Sequence, residues 1–211
     1  MAFSIVLFEF VVLIFSAVLH EVAHGYMAEK LGDPTARNAG RLTLNPLKHL
    51  DAFGSVLMPL MLYIVSGGAF FFAAAKPVPY DPRNLEHPRS GSAKIALAGP
   101  GTNLLLAFIF GLVIRILSYT AVPDLLLALF AVIVYLNIAL MIFNLVPIPP
   151  LDGSRVLFAI LPPTPGTYKA MYFLERYGLI IVLLFAFFGF QYLLPVMQWL
   201  FTLFTGQLLP F

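Results

Sequence analysis

Two histidines and a glutamate stand close together in an otherwise apolar stretch near the start of the chain. The stretch reads LHEVAH (19–24) and ends a run that begins MAFSIVLFEFVVLIFSAV. In a helix, residues 20 and 24 share one face, so both imidazoles can bind the same metal ion. A glutamate between them reaches a water at that metal and can take its proton. This HExxH pattern predicts a zinc site with His20 and His24 as ligands and Glu21 as general base.

A catalytic zinc usually takes three protein ligands, so a third residue is needed. Cysteine is absent from the 211 residues, which leaves His, Asp and Glu as candidates. Asp152 ranks first because it follows FNLVPIPPL (143–151), where three prolines interrupt an apolar stretch. Irregular backbone at membrane depth is tolerated only where it is buried in protein or lines a cavity. The alternative is an ordinary turn in which Asp152 caps the next helix, and taken alone the residues favour that alternative.

The elements that must position these residues are membrane helices. Apolar residues make up 61% of the chain and charged residues 10%, which is typical of an integral membrane protein. Long apolar stretches suited to membrane elements cover 3–28, 54–74, 95–117, 125–146 and 177–205. The sequence predicts an all-α polytopic bundle that forms a single membrane-embedded domain over residues 1–211. The net charge of +2 is too small to indicate a nucleic-acid partner.

Both histidines fall inside the first predicted span, where an ionisable group is costly. If Glu29 and Lys30 mark the membrane edge, a rise of about 1.5 Å per residue places His24 roughly 6 Å and His20 roughly 12 Å inside. Ionisable groups at such depth usually mark a functional site. Histidines that merely join neighbouring helices by hydrogen bonds are the alternative, but they leave Glu21 unexplained.

The distribution of basic residues predicts the orientation of the helices. Segments 29–51, 76–94 and 155–176 each carry at least three Lys or Arg, whereas 118–124 carries none. The three basic segments are therefore predicted to be cytoplasmic, which brings Asp152 to the side where His24 lies. Segment 54–74 then begins and ends on one side, so it should be re-entrant or interfacial, leaving about four full spans. The aromatic tail FGFQYLLPVMQWLFTLF (188–204) should continue the last helix to Pro195 and then lie along the outer interface.

Three motifs carry a family resemblance, and their order and spacing agree with it. They are HEVAH (20–24), AGPGTN (98–103) and NLVPIPPLDG (144–153). The chain resembles the site-2 protease family of intramembrane zinc metalloproteases, in its compact prokaryotic branch without PDZ or CBS domains. The resemblance extends to GRLTLNPLKHLDAFG (40–54) and AKPVPYDPRNL (75–85). One departure is Ala52, where relatives often have proline, and no proposed catalytic role depends on it.

The resemblance implies a set of site residues and a reaction. One Zn²⁺ ion would be held by His20, His24 and Asp152. Glu21 would be the catalytic base, and Asn144 would help to hold the substrate. The implied activity is that of a zinc metalloendopeptidase that hydrolyses peptide bonds within or near transmembrane segments of membrane proteins, in regulated intramembrane proteolysis.

The resemblance also implies partners and a location. The partners are the lipid bilayer and transmembrane protein substrates, and the oligomeric state is not indicated. The location is the prokaryotic plasma membrane, with a multi-pass chain and the active site toward the cytoplasm. Because a substrate helix must unwind to expose an amide, GRLTLN (40–45) and KPVPY (76–80) are candidate β-like segments that pair with it. Plain interfacial loops are the alternative for both.

Two other functions are compatible with an intramembrane His and Glu cluster. In a metal-ion transporter or channel, His20, His24 and Glu9 would line a permeation route, but the polar stripe fades across the outer half of the first helix. A non-catalytic binding scaffold is disfavoured because every expected catalytic position is filled. His49 and His87 lie in basic loops without an HExxH partner and are predicted to be solvated.

Overall fold

The computed structural model describes residues 2–50, 57, 61, 64 and 76–208, and this part of the chain is helical without strands. Its α-helices are α1 (Ala2–Lys30), α2 (Thr35–Asn38), α3 (Pro88–Leu117), α4 (Asp124–Asn144), α5 (Asp152–Ile160), α6 (Pro165–Leu184) and α7 (Leu194–Thr205). Four helices are long and apolar enough to cross a membrane: Ile5–Lys30, Pro88–Leu117, Asp124–Asn144 and Pro165–Tyr192. The predicted all-α polytopic class is confirmed. The re-entrant segment predicted at 54–74 falls outside the described residues except at three isolated positions, and it stays a prediction.

The central bundle is formed by α1, α3 and α4, with α5 and α7 packed against α3. Its apolar core contains Ile114 of α3, Val134 and Ile138 of α4, and Met197 and Phe201 of α7. Each of these side chains is at most 1% exposed. The bundle is therefore tightly packed at the end opposite to the polar residues of α1.

The C-terminal aromatic segment ends the last span at Tyr192, close to the break predicted at Pro195, and continues as α7. The last span begins at Pro165, twelve residues before the predicted start at 177, with Thr164 accepting a hydrogen bond from the Thr167 amide. A short π-helix at Phe185–Gly189 and a 3₁₀ helix at Phe190–Tyr192 then connect α6 to α7. Gly111 of α3 lets α7 approach closely, since a Cβ there would lie 2.6 Å from Phe204 Cβ. Helix α7 buries Met197, Phe201 and Phe204 against the bundle and exposes Trp199, and its position along the outer interface stays a prediction.

The two segments predicted as β-like, 40–45 and 76–80, are held together by side chains and not by strand pairing. Arg41 is buried and donates from Nη2 to Lys76 O at 2.6 Å. The Lys76 amide donates to His49 O at 2.8 Å. His49 is 1% exposed and its Nε2 donates to Thr43 O, so the prediction of a solvated His49 is wrong. The prediction for His87 is confirmed, since its side chain is 78% exposed.

Asp33 joins the end of α1 to the loop before α3. Its fully buried carboxylate accepts from the Asp81 amide at 2.7 Å and from Asn84 Nδ2 at 2.7 Å. It also accepts from the amide and the hydroxyl of Thr35. Burial raises the pKa of Asp33, but the hydrogen bonds from Thr35, Asn84 and Asp81 outweigh burial, and the pKa lies below its ordinary value. Asp33 is therefore a charged hub that fixes the loops at the polar end of the bundle.

We expect acid to weaken the hydrogen bonds that the Asp33 carboxylate accepts. Since the folded-state pKa of Asp33 is depressed, its stabilisation is complete above the ordinary carboxyl pKa of about 3.9 and is lost as the pH falls through the folded-state pKa. Hydrogen exchange at the Thr35 and Asp81 amides, corrected for the intrinsic effect of pH, should therefore accelerate in acid. Asp33→Asn should exchange about tenfold faster at pH 7, with little further change in acid. Equal protection of the wild-type amides at pH 7 and pH 3 would contradict this assignment.

Candidate metal centre

Three ionisable side chains from two helices meet at the polar end of the bundle. His20 and His24 come from α1 and Asp152 is the first residue of α5, and all three are at most 7% exposed. Asp152 Oδ2 lies 3.1 Å from His20 Nε2 and 3.2 Å from His24 Nε2. The two imidazoles meet edge to face, with their centroids 4.6 Å apart. One ligand atom from each residue lies within 4.8 Å of the others, so the group could hold a metal ion.

The donor atoms fit zinc in type and in spacing. A tetrahedral zinc with bonds of about 2.0–2.1 Å sets its ligand atoms about 3.3 Å apart, close to the two distances from Asp152. Space is also kept for an ion, because Gly99 of α3 faces the site without a side chain. A Cβ at Gly99 would lie 2.5 Å from Nε2 of both His20 and His24. The residues present therefore fit a zinc ion in both chemistry and volume.

Hydrogen bonds on the far side of each imidazole set which nitrogen faces the site. His20 Nδ1 donates to Asn103 Oδ1 at 2.6 Å, and His24 Nδ1 donates to Ile95 O at 2.7 Å. Both partners can only accept, so each Nδ1 carries the proton of the neutral ring and each Nε2 presents a lone pair. The two Nε2 lone pairs and an oxygen of Asp152 therefore point toward the same place. A cation bound there would neutralise their negative charge.

The loop between α4 and α5 delivers Asp152 to this position by close backbone packing. A Cβ at Gly153 would lie 2.1 Å from Leu145 O, so the start of α5 folds directly onto the end of α4. Leu151 is the N-cap of α5, and no side chain caps that helix. The alternative role of Asp152 as a helix cap is therefore wrong.

Glu21 is half-buried beside the histidines and is held by a backbone donor. Its Oε2 accepts from the Val78 amide at 2.8 Å. Val78 is buried, and the carbonyls of the two preceding residues accept from Arg41 Nη2 at 2.6 and 3.4 Å. The segment 76–80 therefore borders the candidate site, although it pairs with no strand in the described part of the chain. Arg41 clamps this segment through both carbonyls, and its burial in a basic loop had no local signal in the sequence.

The three asparagines of α3 and α4 have different surroundings. Asn144 is half-buried at the end of α4, where its Nδ2 donates to Leu140 O at 2.9 Å. The structure does not bring it into hydrogen-bond contact with the three clustered residues, and its substrate role stays a prediction. Asn103 and Asn137 are fully buried and bonded to each other at 2.9 Å. Asn103 also contacts His20 directly, so it does more than join α3 to α4.

Comparison with known proteins connects the chain to a family of peptidases. The model of peptidase family M50 matches residues 112–185, which include the loop that carries Asp152. "Putative zinc metalloprotease YwhC" of Bacillus subtilis is 41% identical over 180 residues, which cover 82% of this chain and 77% of that protein. Rip2 of Mycolicibacterium smegmatis, which carries the same description, is 33% identical over 172 residues, or 79% of this chain and 61% of that protein. "Zinc metalloprotease MJ0392" of Methanocaldococcus jannaschii is 28% identical over 85% of this chain and 42% of that protein. No solved structure matches the chain significantly.

Proposed function

Since the chain belongs to peptidase family M50, the site-2 protease family, and is a membrane zinc metalloprotease, we propose that it hydrolyses peptide bonds within or near the transmembrane segments of other proteins. The observation that carries the proposal is the burial of His20, His24 and Asp152 inside an apolar helical bundle. A scissile bond must enter that bundle to reach them, and substrates already in the bilayer are the class that can do so. The cleavage of such substrates is regulated intramembrane proteolysis.

The metal-binding roles follow from the donor atoms. His20 Nε2, His24 Nε2 and a carboxylate oxygen of Asp152 would hold one Zn²⁺ ion and leave a fourth position open. When bound, zinc supplies a Lewis acid that activates water and polarises the scissile carbonyl. The asparagine and backbone partners of the two imidazoles keep both ligands oriented toward the ion.

Proton transfer is assigned to Glu21. Its Oε2 is bonded to the Val78 amide, which fixes the carboxylate and leaves Oε1 to accept a proton from the attacking water. The same oxygen then delivers that proton to the leaving amine, as a general acid. One carboxylate is sufficient for both steps because they occur in sequence.

The substrate must lose its helical hydrogen bonds before its amide can react. We assign the binding of the loosened segment to the loop 76–80, which lies beside Glu21, and to the side chain of Asn144. The substrates are therefore selected by the ease with which their helices unwind.

The active site is placed on the cytoplasmic side of the plasma membrane, in a single membrane-embedded domain spanning residues 1–211. The site lies where α1 ends, α3 begins and α4 ends. Basic residues gather at this end, including Lys30, Arg37, Arg41, Lys76, Arg83, Arg89 and Arg155. Since basic loops are retained in the cytoplasm, this end faces inward.

Single-cysteine labelling tests this orientation, because the natural chain contains no cysteine. His87 and Tyr119 stand at opposite ends of α3, and both are largely exposed. In intact cells, a membrane-impermeant maleimide should label Tyr119→Cys and should label His87→Cys only after the membrane is opened. Labelling of His87→Cys in intact cells would place the site on the outer side.

The proteolytic function is tested with the purified protein reconstituted in liposomes with single-span membrane proteins. We expect mass spectrometry to find cuts within or next to the span, lost on zinc chelation and restored by added zinc. His24→Ala should be inactive in the same liposomes because a zinc ligand is removed. Cuts confined to soluble regions far from the membrane, or cuts that persist in His24→Ala, would contradict the proposal.

A further inference from the structure

A buried chain of hydrogen bonds runs from His20 through α3 and α4 and back to α1. His20 Nδ1 donates to Asn103 Oδ1 at 2.6 Å, and Asn103 Nδ2 donates to Asn137 Oδ1 at 2.9 Å. Asn137 Nδ2 in turn donates to Ser16 Oγ at 3.0 Å. All four side chains are at most 6% exposed, so no bulk water competes for these groups.

The direction of the whole chain is fixed by one backbone carbonyl. Asn137 Nδ2 also donates to Ile133 O at 2.9 Å, and a carbonyl can only accept. The amide of Asn137 must therefore turn its oxygen toward Asn103, and Asn103 must present its nitrogen there. This leaves the oxygen of Asn103 facing His20, where it requires a proton on Nδ1. The tautomer of His20 is thus set by a carbonyl in α4, two side chains away.

We propose that Asn103 is a positioning residue of the metal centre, which holds His20 in the tautomer and ring orientation that direct Nε2 toward zinc. The proposal rests on the assignment of His20 as a zinc ligand in the proposed function. His24 obtains the same direction from the backbone carbonyl of Ile95. A substitution of Asn103 can remove the hydrogen bond to His20 Nδ1, whereas the hydrogen bond to His24 Nδ1 is made by a backbone carbonyl and stays in place.

Zinc affinity measures this role without reference to proteolysis. With purified protein in detergent and a chromophoric chelator as competitor, Asn103→Leu should bind zinc about ten- to a hundredfold more weakly than the wild type. Asn103→Asp keeps an oxygen acceptor at the same place, as carboxylates commonly do behind metal-bound histidines. It should therefore bind zinc more tightly than Asn103→Leu and less tightly than the wild type, because its second oxygen faces Asn137 Oδ1.

Asn137→Leu is the matched comparison, because it removes a buried amide from the same network and leaves Asn103 beside His20 without its fixed orientation. Its zinc affinity should fall less than that of Asn103→Leu. Nitrogen-15 spectra of labelled histidines in the zinc-loaded proteins supply a second readout. The Nδ1–H signal of His20 should show a strong hydrogen bond in the wild type, a weaker one in Asn137→Leu, where Asn103 is no longer held in one orientation, and none in Asn103→Leu.

Three results would overturn the positioning role: unchanged zinc affinity in Asn103→Leu, equal losses in Asn103→Leu and Asn137→Leu, or no recovery in folded Asn103→Asp. The outcome is separable from that of the proposed function. If the wild type binds zinc as expected but cuts no membrane substrate, the proposed proteolysis fails while the affinity series still decides the role of Asn103.

Discussion

Glu21→Gln should abolish the cleavage of a membrane substrate while one zinc ion stays bound per chain. The substitution leaves His20, His24 and Asp152 in place, so the candidate ligands are intact. Glutamine keeps an oxygen that can accept from the Val78 amide, so the neighbouring loop is also retained. What it loses is the capacity to take a proton from water and give it to the leaving amine. Loss of a general acid and base lowers a rate by about 10²–10⁴. The cleavage rate is measured from product formation and zinc binding from metal content, both in one preparation.

Glu29→Gln provides the matched control on the same helix. Glu29 pairs with Arg37 away from the clustered histidines, so the same carboxylate-to-amide change there should leave cleavage within a few-fold of the wild type. Substantial cleavage by Glu21→Gln would remove this residue from the mechanism. Loss of zinc from Glu21→Gln would instead mean that Glu21 supports the metal site itself.

Gly99→Ala should remove zinc binding and activity together, through a single methyl group. The added Cβ would stand 2.5 Å from Nε2 of both His20 and His24, which is the space that an ion between those nitrogens needs. Displacing a ligand by about 1 Å costs on the order of 10²-fold in activity. Helix α3 itself should not suffer, because alanine is a better helix former than glycine by about 1 kcal/mol. Metal analysis and circular dichroism of the purified variant separate loss of the site from loss of the fold.

Gly101→Ala is the control for this steric argument. Gly101 lies two residues further along α3, is exposed, and has nothing within 4 Å of the place its Cβ would occupy. Its zinc content and activity should therefore match those of the wild type. A Gly99→Ala protein with a full complement of zinc would show that the ion does not sit between the histidine nitrogens.

The parts of the site that the sequence predicted are those with a short local pattern. The helical spacing of His20 and His24 brings them together without any tertiary information, and their polarity in an apolar helix marks them. Asp152 lies 132 residues from His20, and the residues near it favoured a helix cap. Family resemblance, and not spacing, indicated its place beside the histidines, where the structure now puts it.

The features that the sequence missed depend on contacts between distant segments. The packing of α7 against α3 depends on Gly111, because a side chain there would collide with Phe204, and hydropathy does not reveal this contact. His49 and Arg41 belong to a polar loop by composition, yet bonds to the backbone of 43 and 76 draw both inside. Asn103 ends the AGPGTN motif, and only its hydrogen bond in the structure links it to His20.

The long separation between His20 and Asp152 has a consequence for the order of synthesis. A ribosome delivers the two histidines first, and Asp152 follows only after α3 and α4 have been made. A chain interrupted before that point holds two imidazoles and no carboxylate to complete the cluster. With the proposed ligand set, we therefore expect the nascent protein to stay inactive through most of its membrane insertion, until α5 has been made.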